Sequence, residues 1–483
     1  MTVPAARSAP LVYSHRHILG IEGLSPAEIT GLLDLSESYV EQSRRADKKD
    51  TVLRGRTVIN LFFETSTRTR TSFELAAKRL GADVINMSVA ASAIKKGETL
   101  LDTAATLNAM RPDVLVVRHP DSGAVNLLSQ KVDCSVINGG DGSHEHPTQT
   151  LCDLFLLRKK NKRIKNLKVA ISGDLRGSRT IHSFVYALAR FGATIMPMAA
   201  KGMGLPEHVD RRLREEFRCQ MVSAKKGQGD DSSLDALYVT PEEPHQQSLF
   251  SGPELETNAE AVGKKVDAVY VTRFQKERWA DKEQSYPKID RKFLSEPRYS
   301  DASVMHPLPR VGELDAAFDA DRRAVYFEQA AYGVPVRMAL IALLLGLKGK
   351  SLHKFTGGFE RPKYPLYDQP RPIGIRCANK NCIVHDPMET QYVRNKFYVV
   401  KTQSEAECKL RCAYCENDIE DFVVASRKNK WFAADPAALV RADDQHFKDL
   451  VVFAQAADAA EAGFHSRRAA AEPKPARRAT SKG

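Results

Sequence analysis

Residues 58–80 read VINLFFETSTRTRTSFELAAKRL, and the fold turns on how this stretch divides. Val58 to Phe63 is short, β-branched and aromatic, the composition of a strand buried on both faces. Phe73, Ala76, Ala77 and Leu80 then recur at helical spacing and stop before Gly81, a residue suited to ending a helix. The segment Ser66-Thr67-Arg68-Thr69-Arg70 therefore falls where a strand turns into a helix. A helix N-terminus offers unpaired backbone N–H groups and a positive dipole end. With hydroxyls from Ser66, Thr67 and Thr69 and the guanidinium of Arg68, it makes a cradle for phosphate oxygens without Walker glycines. Taken alone, the pattern reads equally as a plain N-cap with solvated arginines.

Outward from this point the same alternation repeats. Short apolar runs, ADVINM, PDVLVVRH, SVINGG, KVAISGD, TIMPMA, AVYVTR and AVYFEQ, are separated by helical stretches from about residue 25 to 350. Alternation of this kind predicts an α/β chain with two doubly wound parallel-sheet domains. Residues 1–146 would form the first domain and 147–332 the second, with Pro147 to Lys159 as the joining helix. The apolar segment 333–348 would be a buried helix completing the first domain. The polar stretch 224–256 reads as a surface insertion. Residues 349–376 contain Pro362, Pro365, Pro370 and Pro372 and read as a semi-rigid linker. Beyond them a small β-rich module spans 377–457, and 458–483 reads as a disordered basic tail.

A chain of 483 residues has room for several domains. The net charge of +12 comes from 72 basic and 60 acidic residues that are mostly interspersed, and it suits small anionic substrates as well as a polynucleotide. The first residues lack an apolar core, and no stretch approaches the roughly 20 apolar residues of a membrane span, so a cytoplasmic protein without a membrane partner is expected.

Further polar residues follow the predicted strands: Arg118 and His119 after PDVLVV, His146 and Gln149 in GDGSHEHPTQT, Gly173 to Arg179 in GDLRGSR, Arg273 and Gln275 in TRFQKER, and the turn HPLPR at 306–310. In open parallel sheets ligands bind at the carboxyl ends of strands, which allows these groups to share one crevice. Singly, each loop is an ordinary turn with surface arginines.

Together they are more specific. STRTR, KKGET, VRHP, HPTQT, GDLRGSRT, TRFQKER and HPLPR occur in an order and spacing that resemble the catalytic chains of the aspartate carbamoyltransferase family, over residues from about 15 to 350. The resemblance implies transfer of a carbamoyl group from carbamoyl phosphate to L-aspartate, an early step of de novo pyrimidine biosynthesis, without a catalytic cofactor. It implies that Ser66, Thr67, Arg68, Thr69, Arg118, His146 and Gln149 hold carbamoyl phosphate, with Arg68, Thr69, Arg118 and His146 catalytic. Ser92 and Lys96 match a loop that reaches into a neighbouring subunit's site, so the implied assembly is a homotrimer with shared sites. Arg179, Arg273, Gln275 and the backbone carbonyl of Leu308 would hold aspartate. Forked guanidinium groups suit a dicarboxylate. The ornithine-type relative carries a Ser-Met-Gly loop and a His-Cys-Leu-Pro motif, whereas this chain has TRFQKER and HPLP. An ornithine-type transferase, or a silent homologue serving as scaffold, is the alternative.

Five of eight cysteines crowd into the 39 residues from Cys377 to Cys415. In a cytosolic chain such clustering points to metal rather than disulfides. Cys377-x4-Cys382 and Cys412-x2-Cys415 have the spacing of a structural Zn²⁺ site of four thiolates, with Cys408 and His385 as spare candidates. The pattern resembles the zinc domain of the family's regulatory chain, here fused to a catalytic chain. The nucleotide-binding domain that precedes it in that family has no room in the 28 residues between Lys348 and Cys377, since chains below about 40 residues rarely fold alone. A nucleic-acid-binding zinc ribbon is the competing reading, disfavoured because the module mixes acidic with basic residues and lacks an aromatic and basic stripe.

Overall fold

The computed structural model describes residues 15–88, 97–199, 202–222, 233–240, 263–273, 289–346, 364–369, 374–401, 408–433, 439 and 446–466. The chain divides into two units, 1–361 and 362–483.

The first unit begins with α1 (Pro26–Arg44), started by a capping box in which Ser25 and Glu28 satisfy each other's backbone N–H groups. Then come β1 (Thr57–Phe62), α2 (Thr67–Arg79), β2 (Asp83–Ser88), α3 (Leu100–Ala109), β3 (Val114–His119), α4 (Ala124–Ser129) and β4 (Ser135–Asp141). The four strands are parallel in the order β2-β1-β3-β4. Every residue of β1 after Thr57 is buried, as a strand covered by helices on both faces requires. Helix α5 (Pro147–Asn161) leads into the second half: β5 (Lys168–Gly173), α6 (Arg179–Arg190), β6 (Thr194–Ala199), α7 (Glu207–Glu215), β7 (Gln220–Met221), β8 (Ser233–Leu234), β9 (Ala236–Val239), β10 (Lys265–Val266), β11 (Ala268–Val271) and β12 (Ser303–Met305). Its main sheet is parallel, six-stranded and ordered β12-β11-β9-β5-β6-β7. Pro197 lies inside β6, where its missing N–H is harmless, because β7 pairs only with Thr194 and Ile195.

Four expectations fail here. AVYFEQ is not a strand: Tyr326 opens a 19-residue helix running to Leu344, and Ala324 contributes only an isolated bridge to Val304. The β-branched and aromatic start imitates a strand, and Gly333 and Pro335 imitate a boundary, yet the helix runs through both. This helix packs on α1, α2 and α5, joining the first half's core. The segment 224–256 is not wholly a surface insertion, since its ALYV is the fully buried β9, hydrogen-bonded between β5 and β11. A four-residue core strand between polar flanks carries too short a signal to stand out.

The second unit holds two small sheets. One is antiparallel, ordered β13 (Leu366–Asp368), β14 (Lys396–Lys401), β15 (Cys408–Cys412) and β16 (Asp418–Ile419). The other joins β17 (Val423–Ser426), β18 (Trp431–Ala433), β19 (Leu450–Phe453) and β20 (His465–Ser466), in the order β19-β17-β18-β20. The third correction is that order continues past residue 458: the helix Ala456–Glu461 and β20 are present, and Ala459 and Phe464 lie in the core with Val423, Ala425 and Phe453. Leu366 to Asp368, expected as linker, is also part of a sheet. Residues 467–483 lie outside the described chain.

Candidate active site and metal centre

The segment Ser66 to Arg70 does sit between a parallel strand and a helix, with Ser66 at the N-cap of α2. Ser66 makes no side-chain capping hydrogen bond, and the first turn holds no acidic residue. Its hydroxyl and the helix dipole are therefore uncommitted to capping, which favours the anion cradle over the plain cap. Thr69 is buried, whereas Thr67 and Arg68 are exposed.

Arg118 is the penultimate residue of β3 and His146 caps α5, and the two meet with Nη1 of Arg118 3.4 Å from Nε2 of His146. Arg118 also donates to the carbonyl of Gly139 at 3.2 Å. Arg179, the first residue of α6 and 7% exposed, donates to the carbonyl of Gly142 at 3.2 Å. The two arginines share a carboxylate: Oε2 of Glu64 lies 3.0 Å from Arg118 Nε and 2.8 Å from Arg179 Nη2. Glu64 thus joins a strand end of the first half to the first helix of the second. Gly140, at φ +116°, makes room for this, since a Cβ there would stand 3.2 Å from both Arg118 Nη1 and Arg179 Nε. Arg273 follows β11, and burial together with its positive charge lowers the Arg68 pKa. Cations from the strand ends of both sheets thus come together around Glu64, an arrangement suited to an anionic occupant.

His146 is held neutral. Burial, then the charges of Arg118, Arg179 and Arg337, push its pKa well below the usual value. The sign for stability follows: the unfolded chain takes up a proton here below about pH 6.5, the folded chain does not, and acid favours unfolding. In denaturant titrations, stability is expected to fall from pH 6.5 to 5 by up to about 1.4 kcal/mol per unit for this group, with a shallower slope in His146→Asn. Equal slopes would contradict the assignment.

The HPLPR turn is built on His306, whose side chain is buried and whose Nε2 lies 2.7 Å from Glu313 Oε1. Its Nδ1 accepts from the Leu308 N–H at 2.8 Å, and Glu313 Oε2 accepts from the Val311 N–H at 2.9 Å. These bonds hold Leu308 at φ +53°, a strained conformation for a leucine. Gln149, on the first turn of α5, donates to Asp153 Oδ1 at 2.8 Å. Ser92, Lys96 and Gln275 lie outside the described residues. Glu64, Arg337, Glu313 and Asp153 escaped the sequence reading. Glu64 alone had a signal, its place inside the ETSTRTR run.

In the second unit Cys377, Cys382, Cys412 and Cys415 are all buried, with their sulfurs within 4.8 Å of one another. Cys377 and Cys415 stand 3.4 Å apart and Cys382 and Cys412 3.8 Å apart, too far for disulfides at about 2.05 Å. Four thiolates about 2.3 Å from one tetrahedral ion are about 3.8 Å from each other, so the donor set fits such an ion. His385 Nε2 is instead 2.7 Å from the Cys377 carbonyl oxygen, and neither it nor Cys408 belongs to the cluster.

Two parallel-sheet halves with clustered arginines, and a separate unit with a four-cysteine cluster, define a two-domain α/β chain with an appended candidate metal domain. Residues 16–159 match the aspartate/ornithine carbamoyltransferase carbamoyl-P binding domain, residues 165–344 the Asp/Orn binding domain of the same family, and residues 372–424 the metal binding domain of the aspartate carbamoyltransferase regulatory chain. The chain belongs to the aspartate/ornithine carbamoyltransferase family. It is 47% identical to the aspartate carbamoyltransferase catalytic subunit of Bradyrhizobium diazoefficiens, covering 69% of this chain and 96% of that one. Identity to the corresponding subunit of Parvibaculum lavamentivorans is 45%, covering 71% and 95%. The M. jannaschii catalytic subunit superposes with a TM-score of 0.54 at 33% identity, covering 70% of this chain and 100% of that one. The Trypanosoma cruzi aspartate transcarbamoylase in complex with carbamoyl phosphate and aspartate does so with 0.53 at 31% identity, covering 68% and 94%. Among the described residues no helix is long and apolar enough to cross a membrane.

Proposed function

We infer that this chain is an aspartate carbamoyltransferase, moving the carbamoyl group of carbamoyl phosphate onto the amine of L-aspartate to give N-carbamoyl-L-aspartate and phosphate. The observation that carries this is the cation cluster of Arg68, Arg118, Arg179 and Arg273 at the carboxyl ends of both sheets. The amine attacks the carbamoyl carbon, an oxyanion develops and phosphate leaves, so the reaction needs donors and positive charge rather than a nucleophile. Ser66, Thr67, Arg68 and Thr69 take the phosphate at the start of α2; Arg118 and His146 face the carbonyl oxygen and Gln149 the carbamoyl amide. Arg179, Arg273, Gln275 and the Leu308 carbonyl take aspartate.

The working form is a homotrimer in the cytoplasm, with Ser92 and Lys96 entering a neighbour's site. Supporting this, β2 is an edge strand, and Leu75, Ile85 and Met110 expose large apolar side chains on α2, on β2 and after α3. The four cysteines hold one structural Zn²⁺ whose module serves assembly. The test mixes inactive Lys96→Ala with inactive Arg68→Ala protein. Hybrid trimers are expected to regain carbamoyl-aspartate formation, up to about a third of their sites being intact by random mixing. No recovery despite proven subunit exchange would defeat the shared site.

A further inference from the structure

Asp153 is a buried carboxyl that the transfer chemistry does not use. It lies on α5, one turn after Gln149, and is 1% exposed. Its Oδ1 accepts from Gln149 Nε2 at 2.8 Å and from Gln329 Nε2 at 2.8 Å, and its Oδ2 accepts from the Tyr270 hydroxyl at 3.0 Å. Gln329 belongs to the helix Tyr326–Leu344, and Tyr270 to β11 beside Tyr238, with which it stacks at 4.2 Å. The positive charge of Arg337 also bears on it. The chain continues beyond Gln329, whose Oε1 accepts from the His306 N–H at 2.9 Å. His306 in turn accepts from the Leu308 N–H at 2.8 Å. One carboxyl group therefore lies between the turn carrying His146 and Gln149 and the turn carrying Leu308.

The bonding constrains both amides. A glutamine amide has one donor end and one acceptor end, and Oδ1 of Asp153 accepts whether the carboxyl is ionised or carries its proton on Oδ2. Gln149 must give its nitrogen to Asp153, which leaves its oxygen as the acceptor it can offer a carbamoyl N–H. Gln329 likewise gives its nitrogen to Asp153 and so has its oxygen for the His306 N–H. Burial pushes the Asp153 carboxyl up to about 7 against the pull of Gln149, Gln329, Tyr270 and Arg337. An apolar residue would fill this site at lower cost, so an acid there points to a task beyond packing.

We propose that Asp153 is a positioning residue whose shared acceptor oxygen orients the Gln149 and Gln329 amides and thereby couples the carbamoyl-phosphate turn to the aspartate turn. This rests on the carbamoyltransferase reading. Asp153→Ala leaves both amides without their acceptor and is expected to raise KM for carbamoyl phosphate and for aspartate at least tenfold. Asp153→Asn keeps an oxygen for both glutamines and offers an NH₂ to the Tyr270 oxygen, so it should recover most of that loss, which a role of the charge alone would not permit. In a double-mutant cycle Asp153→Ala combined with Gln149→Ala should cost no more in carbamoyl phosphate KM than Gln149→Ala alone, because Asp153 acts through Gln149. If Asp153→Ala does not fold, Gln329→Met removes only the far arm and should raise the aspartate KM more than the carbamoyl phosphate KM. Additive losses in the cycle, no rescue by asparagine, or a Gln329→Met effect equal on both substrates would overturn the proposal. An inactive wild-type protein would instead defeat the carbamoyltransferase reading, and the coupling with it.

Discussion

Arg68→Ala is expected to lose about 10²–10³-fold in kcat, roughly 2.7–4 kcal/mol, the usual cost of deleting one donor aimed at developing charge. Ser66 caps α2 without using its hydroxyl, the first turn has no acid to neutralise the dipole, and Arg68 lies beside the like charge of Arg273. Such a cluster is poised for an anion and is repulsive without one. Removing Arg68 therefore relieves repulsion in the free protein while stripping a charge-assisted bond from the bound phosphate. Stability should hold or rise as activity collapses. Far-ultraviolet circular dichroism and thermal melting check the fold, and carbamoyl-aspartate formation checks the chemistry. A loss below about tenfold, equivalent to ~1.4 kcal/mol, would remove Arg68 from the site.

The second large effect concerns the metal module. Cys412→Ser combined with Cys415→Ser should abolish bound zinc, and the module should lose its fold, since structural zinc supplies on the order of 10 kcal/mol or more to small domains. The core of Val423, Ala425, Phe432, Val451, Phe453, Ala459 and Phe464 is small. Catalysis should survive at least in part, because the cation cluster lies in the other unit, while any assembly that the module supports weakens. Metal analysis, particle mass and turnover read the three outcomes separately. Stoichiometric zinc in the double variant would exclude the four-cysteine site; an unchanged higher assembly without zinc would exclude the role in assembly.

What was readable in the chain and what was not divides along physical lines. The strand and helix flanking Ser66 to Arg70 were legible because propensity, periodicity and a terminating glycine agreed over more than twenty residues. The four cysteines were legible because tetrahedral thiolate sites impose short spacings. By contrast, β9 hides as ALYV inside a polar segment, and its central place in the sheet comes from pairing with β5 and β11, which no local window contains. AVYFEQ misleads because the first turn of a buried helix can be as β-branched and aromatic as a strand. Ala459 and Phe464 are core residues in a stretch whose alanines and charges read as tail. Glu64, Asp153 and Arg337 acquire meaning only where separate elements meet: Glu64 between β3 and α6, Asp153 between α5, β11 and the helix Tyr326–Leu344. Interfaces of this kind have no period to detect.

The identity of the acceptor is tested by offering the wild-type protein carbamoyl phosphate with L-aspartate or with L-ornithine under identical conditions. The guanidinium groups of Arg179 and Arg273 repel a cationic side chain and offer matched forks to a dicarboxylate. N-carbamoyl-L-aspartate is expected with aspartate and no citrulline above background with ornithine. Citrulline formed at a comparable rate, or no product from aspartate, would contradict it.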